Sequence, residues 1–561
     1  MSNSDLSNHP AALIVYLGFF LFLPATAFSQ FTDQTESAGV PFHYLSSGAD
    51  KRHIVEAIGG GAAFFDYDND GDLDLYAVNG ATVETYREKS GPGNTLYANQ
   101  GNGTFADVSA TAAASDAGWG MGCTVGDVDG DGYRDLYVTN YGPNVLYRNL
   151  GDGRFQDLNN KTLASADFSA SAAFFDYDND GDLDLYVANY VVYAPEFPPD
   201  KACNYMGAIS IYCGPRGMPG APDRLYRNDG DYVFADVTRS SGVEWANRYY
   251  GLGVVPADYD GDGDTDLFVA NDNTPNLLFS NQGDGTFREV GLQAGVAYNE
   301  DGREEAGMGI CAADYDNDSD LDVYITHFHR ESNTLYRNDG QGQFGDFTTL
   351  AGLEQPTLGK LGWGTQFFDY DRDGDLDLFV ANGHVYPQVD SASLGTSYRQ
   401  KNQLLRNDGA AGFVDISASA GPGLAVEQVS RGAAFGDYDN DGDIDIFVVN
   451  LDASATLLRN DFEVGNGLVV QLLASVGNRD VLGARVRLEA DGKSQWRTIN
   501  GASSYLSYND IRAHFGLGAA KRADIIEIIW PDGTRRKIEA VPANSLLLVH
   551  QDGAQVLVDL E

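Results

Sequence analysis

The sequence predicts an all-β protein: a seven-bladed β-propeller followed by a small β-sandwich. Three observations predict it. An acidic nonapeptide recurs seven times, each copy lies between two short apolar stretches, and one strand-like segment at the N-terminus matches a strand missing from the last repeat. The copies are DYDNDGDLD at 66–74 and 176–184, DVDGDGYRD at 127–135, DYDGDGDTD at 258–266, DYDNDSDLD at 314–322, DYDRDGDLD at 369–377 and DYDNDGDID at 437–445. Successive starts are 61, 49, 82, 56, 55 and 68 residues apart, the length of a four-stranded blade with variable loops.

Each blade can be read element by element. Apolar residues before the nonapeptide (61–65, 172–175, 366–368) form a first strand, and those after it (LYAVN, LYVTN, LFVAN and their counterparts) form a second. A third element recurs as NTLYAN, NVLYRN, DRLYRN, NLLFSN, NTLYRN, NQLLRN and ATLLRN, and a Gly-rich turn leads from it into a fourth, such as TFADVS at 104–109. After ATLLRN at 455–460 no fourth element follows. Its counterpart, FTDQTESAGV, lies at 31–40, ahead of the first blade. An N-terminal strand completing the last blade closes the ring and leaves no open sheet edge. The propeller is thus expected over 30–462. Residues 463–561, with apolar–polar alternation in GLVVQLLA, ARVRLEA, DIIEIIW and SLLLVHQ, form the second, all-β domain.

Composition narrows the functional classes. There are 36 Lys and Arg against 82 Asp and Glu, a formal charge of −46, which excludes a nucleic-acid binder because no basic face is available to neutralise phosphate. With 43% hydrophobic and 12% aromatic residues the chain is too rich in core-forming side chains to be disordered. The apolar run at 11–23, followed by small residues at 25–29, predicts a signal peptide over 1–29 and no stable membrane span after its cleavage. The mature protein is therefore expected to be secreted, whether extracellular, periplasmic or at a cell surface. In such an oxidising compartment Cys203 and Cys213, ten residues apart in a Pro-rich segment, are expected to pair, whereas Cys123 and Cys311 read as buried thiols.

The nonapeptides carry 34 of the 82 acidic residues. Positions 1, 3, 5 and 9 are always Asp, and position 6 is Gly in all but one copy. Alternate carboxylates on a tight loop converge, and a carbonyl from position 7 can join them, which makes an all-oxygen site for a hard cation. Ca²⁺ suits so flexible a set better than Mg²⁺ does. The expected metal residues are Asp66, Asp68, Asp70, Asp72 and Asp74 in loop 1, and Asp127, Asp129, Asp131, Tyr133 and Asp135 in loop 2. Loop 3 offers Asp176, Asp178, Asp180, Asp182 and Asp184, and loop 4 offers Asp258, Asp260, Asp262, Asp264 and Asp266. Loop 5 has Asp314, Asp316, Asp318, Asp320 and Asp322; loop 6 has Asp369, Asp371, Asp373, Asp375 and Asp377; loop 7 has Asp437, Asp439, Asp441, Asp443 and Asp445. Up to seven Ca²⁺ ions, one per loop, are expected. An EF-hand is excluded, because its Glu at position 12 is replaced here by apolar strand residues from Ala77 to Val448. Ser319 takes the place of the turn glycine in loop 5, where a positive φ costs about 1 kcal/mol, so that loop is expected to be the weakest.

These Asp-x-Asp-x-Asp-Gly-x-x-Asp strings between short strands resemble the FG-GAP or VCBS repeats of integrin α-like propellers. The segment from GARVRLEADGK to IIEIIWPDG (483–533) is similar to the ASPIC/UnbV module. Together they resemble the cartilage acidic protein family and its bacterial relatives. The resemblance implies a secreted calcium-binding or adhesion-like protein and names no common reaction. Asn500-Gly501 and 505–510 match the module's motif, which a hydrogen-bonded polar turn explains as well as a binding site does.

Antiparallel connectivity places the acidic loops on one face and the long, variable loops (80–93, 190–222 and 383–401) on the other, where sequence variety favours recognition. An extracellular protein or glycan is the expected partner, with no catalytic residues and no organic cofactor. The alternative is an enzyme acting on extracellular polysaccharide, a lyase or hydrolase, because His43, His53, His327, His329 and His384 map to the long-loop face with Arg216 and Tyr386. No nucleophile elbow, HExxH or phosphate-binding glycine loop accompanies them.

Overall fold

A computed structural model describes residues 31–48, 51–194, 202–244, 249–462, 465–474 and 477–560; the expected signal peptide lies outside them. Seven sheets contain the seven nonapeptides, and their innermost strands touch in a closed cycle. Six are four-stranded and antiparallel; in the seventh, blade 1, four antiparallel strands are extended by Ser507–Tyr508, parallel to Ala62–Phe65, and Ala502–Ser503. Blade 1 shows the pattern: Ala62–Phe65, the acidic loop, Asp74–Ala77, Thr95–Asn99 and Phe105–Asp107. In blade 7 the fourth strand is Phe31–Asp33, paired with Thr456–Asn460 in the register Phe31↔Asn460 and Asp33↔Leu458. The fourth strands are shorter than the sequence suggests. In blades 1 and 7 an Asp ends the pairing by accepting the N–H two residues on, Thr35 to Asp33 and Ser109 to Asp107, and so turns the chain.

The asparagine that ends each third strand links the blades. Its side-chain amide donates to the carbonyl at position 2 of the preceding blade's acidic loop: Asn149 to Tyr67 at 2.7 Å, Asn228 to Val128 at 3.0 Å and Asn281 to Tyr177 at 2.8 Å. Asn338 bonds Tyr259, Asn407 bonds Tyr315 and Asn460 bonds Tyr370, and Asn99 closes the circle on Tyr438 of blade 7. Each link is buried, so leaving its acceptor unpaired would be costly.

The C-terminal domain is a sandwich of two four-stranded sheets. One sheet contains Asn466–Leu473, Ala513–Gly518, Ser545–His550 and Gln555–Asp559; the other contains Arg485–Ala490, Lys493–Thr498, Arg522–Ile529 and Arg535–Pro542. Its core merges with blades 2 and 3 in one apolar cluster that includes Val128, Phe174, Leu183, Leu468, Val486 and Ile526. The segment 500–510 leaves this sandwich and enters the ring, bonding to an inner strand or its lead-in in every blade. Ser507 Oγ accepts from Ala62 N, Leu506 O from Cys123 N, and Leu506 N donates to Ser171 Oγ, serving blades 1 to 3. Asn500 donates to Pro256 O, Ser504 exchanges two backbone bonds with Ile310, and its hydroxyl joins Thr365 N to Ala433 O, serving blades 4 to 7. The inner strands are rich in glycine because this axis is crowded: a Cβ at Gly61 would fall 1.9 Å from Leu506 O. Among the described residues, no helix is long and apolar enough to cross a membrane.

Candidate metal centre

All seven acidic loops adopt one turn. The N–H of position 6 donates to the position-1 carboxylate, as in Gly71 to Asp66 (3.1 Å) and Ser319 to Asp314 (3.0 Å), and the N–H of position 7 donates to position 5, as in Asp72 to Asp70 (3.0 Å). Positions 4 and 6 both have positive φ, which explains the Asn or Gly at most of the former and the Gly at most of the latter. The exceptions are Arg372 at φ 57° and Ser319 at φ 82°. The backbone expectation for Ser319 therefore holds.

This turn gathers carboxylates. Oxygens of Asp66, Asp68 and Asp70 lie within 4.8 Å of one another, as do those of Asp127, Asp129 and Asp131 and of Asp258, Asp260 and Asp262. In loops 3 and 5 the triads include position 9: Asp176, Asp178 and Asp184, and Asp314, Asp316 and Asp322. Oδ1 of Asp127, Asp178, Asp371, Asp437 and Asp439 is buried with no hydrogen-bond donor, which fits a cation rather than a closed polar network. Burial foremost, opposed by the turn's N–H bonds and aided by repulsion between neighbouring carboxylates, pushes Asp176, Asp314 and Asp371 up to about 6. A bound dication would remove that strain. These residues therefore fit a hard cation held by positions 1 and 3 together with position 5 or position 9.

Positions 7 and 9 have additional structural roles. Both oxygens of Asp74 accept backbone N–H groups, from Tyr67 at 2.9 Å and from Asn99 at 2.8 Å, so position 9 ties the loop to the third strand. The same pair of bonds recurs at Asp135, Asp184, Asp266, Asp322, Asp377 and Asp445. The position-7 side chains of Asp72 and Asp264 accept from Asn440 and Asn179 of neighbouring loops, and Asp443 pairs with Arg372 at 2.5 Å.

The C-terminal domain sits on this acidic face, a contact that the separate motifs do not announce. Arg485 donates to Ser319 O at 2.9 Å, Arg512 donates to Asp437 O at 2.7 Å and Asn440 Oδ1 at 2.8 Å, and Arg134 pairs with Asp480 at 2.8 Å. The segment 500–510, read from sequence as a polar turn or a binding site, is a plug. Its tip, Tyr505, is fully buried, donates to Ile58 O at 2.7 Å and meets the Trp363 ring at 4.9 Å. The available signal was the Tyr-Leu pair inside an otherwise polar motif.

On the opposite face the long loops gather around the plug's tip in a second apolar cluster. Cys203 and Cys213 are bonded, whereas Cys123 and Cys311 are buried free thiols. The disulfide loop lies across blades 5 and 6: Tyr205 Oη bonds His329 Nδ1 at 2.8 Å, and Tyr212 donates to Val385 O at 3.0 Å. His329 and His384 come together, with ring centroids 5.9 Å apart, beside Tyr205 and Tyr386. His384 is fully buried, its Nδ1 accepts from Tyr386 N, and burial pushes it down to about 3. The other histidines lie apart: His53 bonds Tyr193, His327 lies 3.6 Å from Glu305, and His43 is exposed, its backbone in a β-bridge with Ser454. Arg216 is exposed.

Two family models match the chain. FG-GAP-like repeats cover 66–138, 127–187, 211–269, 258–325 and 314–380, and the ASPIC and UnbV model covers 475–556. Cartilage acidic protein 1 of Xenopus tropicalis is 26% identical over 532 residues, spanning 88% of this chain and 74% of that protein. The Homo sapiens protein of the same name is 24% identical over 574 residues, spanning 95% and 78%. Among solved structures, an Agrocybe aegerita lectin described as recognising non-reducing terminal N-acetylglucosamine aligns with a TM-score of 0.38 at 16% identity, over 71% of this chain and 86% of that one. The chain, similar over most of its length to cartilage acidic protein 1, belongs to the FG-GAP-like repeat family and carries an ASPIC and UnbV domain.

Proposed function

We propose that this protein is a secreted, calcium-binding recognition or adhesion module. Ca²⁺ in the acidic loops stabilises the propeller, and an extracellular protein or glycan binds the opposite, long-loop face without being chemically changed. The observation that carries the reading is the repeated convergence of carboxylates whose buried oxygens have no donor. The Cys203–Cys213 bond and the similarity to proteins named for cartilage support an extracellular setting. Calcium removal should lower the melting temperature, and calcium should restore it. At an ion concentration about 100 times Kd each site contributes about 2.7 kcal/mol. A melting curve unchanged by excess chelator would sink the calcium reading.

The pairing of His329 with His384 is the one feature that favours polysaccharide cleavage, and the burial of His384 argues for a packing role. Incubation with extracellular polysaccharides should yield binding without product. Turnover abolished by His329→Ala or His384→Ala would establish the enzyme instead.

A further inference from the structure

A second pattern runs beside the acidic repeat. The third strand ends in Arg-Asn in five blades, and in four of them the next residue is Asp: Asp229, Asp339, Asp408 and Asp461. In blades 1 and 4 the arginine is replaced by Ala98 and Ser280, and the residue after the asparagine is Gln100 or Gln282. Arginine and aspartate occur together because they pair across the strand end, Arg227 with Asp229 at 2.8 Å, Arg337 with Asp339 at 2.7 Å, and Arg406 with Asp408 and Arg459 with Asp461 at 2.6 Å. Blade 2 breaks the rule. Arg148 is followed by Asn149 and then Leu150, which is 41% exposed.

Lacking that acceptor, Arg148 turns into its own acidic loop. Its Nη2 lies 2.7 Å from Asp129 Oδ2 and 3.5 Å from Asp131 Oδ2, and its guanidinium sits 5.3 Å from the centre of the Tyr232 ring. Its Nε, the atom that bonds the following Asp in the other four blades, is buried without an acceptor. On the other side Arg479 of the C-terminal domain approaches Asp127 Oδ2 at 3.9 Å. Every carboxylate of the loop-2 triad thus has a guanidinium within 4.0 Å. Among the described residues no other loop has an ion pair at position 1 or position 3.

Building on the calcium reading above, we propose that loop 2 is the odd member of the set, with Arg148 and Arg479 supplying the positive charge that Ca²⁺ supplies elsewhere. Like charge opposes a dication directly, whereas the strained φ of Ser319 affects only the turn, so loop 2 and not loop 5 is the weakest site.

The test counts calcium per chain by equilibrium dialysis and elemental analysis, and locates it by anomalous diffraction, in the full mature chain and in two variants. Leu150→Asp restores the missing acceptor, and Arg148→Gln removes the competing charge. The native chain should lack an ion at loop 2 at concentrations that fill loops 1 and 3. Each variant should gain one calcium per chain, with affinity at that loop raised tenfold or more. An ion at loop 2 of the native chain as well ordered as those at loops 1 and 3, or an unchanged count in both variants, overturns this inference and leaves the calcium reading standing. Calcium in none of the loops overturns both.

Discussion

Replacing Tyr505 tests whether the plug secures the ring. The side chain is fully buried, its hydroxyl donates to Ile58 O at 2.7 Å, and its ring packs against Trp363 with centroids 4.9 Å apart. Tyr505→Ala removes the ring from a packed axis, a change that costs about 3–5 kcal/mol for buried aromatics, and leaves the Ile58 carbonyl unpaired. Tyr505→Phe keeps the packing and loses only the hydrogen bond, about 1 kcal/mol. With a urea slope of about 3 kcal/mol/M, the alanine variant should unfold about 1 M earlier and the phenylalanine variant about 0.3 M earlier. The near-UV circular dichroism of the alanine variant should also change, because Trp363 loses a face of its packing. Arg431 occupies another, with its guanidinium carbon 4.1 Å from the ring centre. An alanine variant that unfolds at the native urea concentration with an unchanged near-UV spectrum would refute a seated plug.

Two further outcomes follow from the loops. Ser319→Gly relieves a φ of 82° and should stabilise the calcium-loaded protein by about 1 kcal/mol, read as a later urea midpoint. The pH dependence of melting should change sign with calcium. Without the ion, burial holds Asp176, Asp314 and Asp371 at about 6 in the folded state, against about 3.9 unfolded, so the folded chain binds protons more tightly. That stabilisation is complete below about pH 4 and is lost as pH rises through about 6, so the melting temperature of the stripped protein should fall from pH 5 to pH 8. With calcium the loops must be ionised to bind, and the melting temperature should rise over the same interval. The same slope in both states would contradict carboxylate ligation.

The loops were legible because everything that defines them is local. Alternate aspartates and turn glycines within nine residues encode the turn, and Ser319 adopts the positive φ its position requires. Ring closure was legible for a different reason: counting fourth strands assigned 31–40 to blade 7, although only Phe31–Asp33 pairs before the Asp33 turn redirects the chain. The asparagine ending each third strand was visible as a motif, but its bond to the preceding blade depends on the closed ring. The plug was not legible, since its partners lie hundreds of residues away, as in Leu506 N to Ser171 Oγ, and its polar residues look like those of any turn. For the histidines, topology gave the face but not the partners. His329 and His384 come from the loops of adjacent blades, and Tyr205 of the disulfide loop contacts both rings, a meeting set by the closed ring rather than by either motif.

The docking of the C-terminal domain also bears on where metal and domain would act on each other. Arginines facing an array of aspartates would be expected to seize the carboxylates, which would make domain and cation competitors, as Arg479 does at Asp127 of loop 2. At loops 5, 6 and 7, instead, Arg485 and Arg512 donate to the loop carbonyls of Ser319 and Asp437, and Gly518 N donates to Arg372 O at 2.8 Å. Those carbonyls are available only while the loop keeps its turn, and the turn is the part that mutual repulsion of empty carboxylates would distort, by about 4 kcal/mol per pair at about 4 Å in a medium of dielectric near 20. At these three loops cation and domain therefore favour the same loop shape. Because 500–510 belongs to that domain, loosening the loops also loosens the plug. Calcium removal should accordingly speed amide exchange at Ser504 and Leu506, whose N–H groups bond Ile310 O and Ser171 Oγ deep inside the ring and well away from the acidic loops.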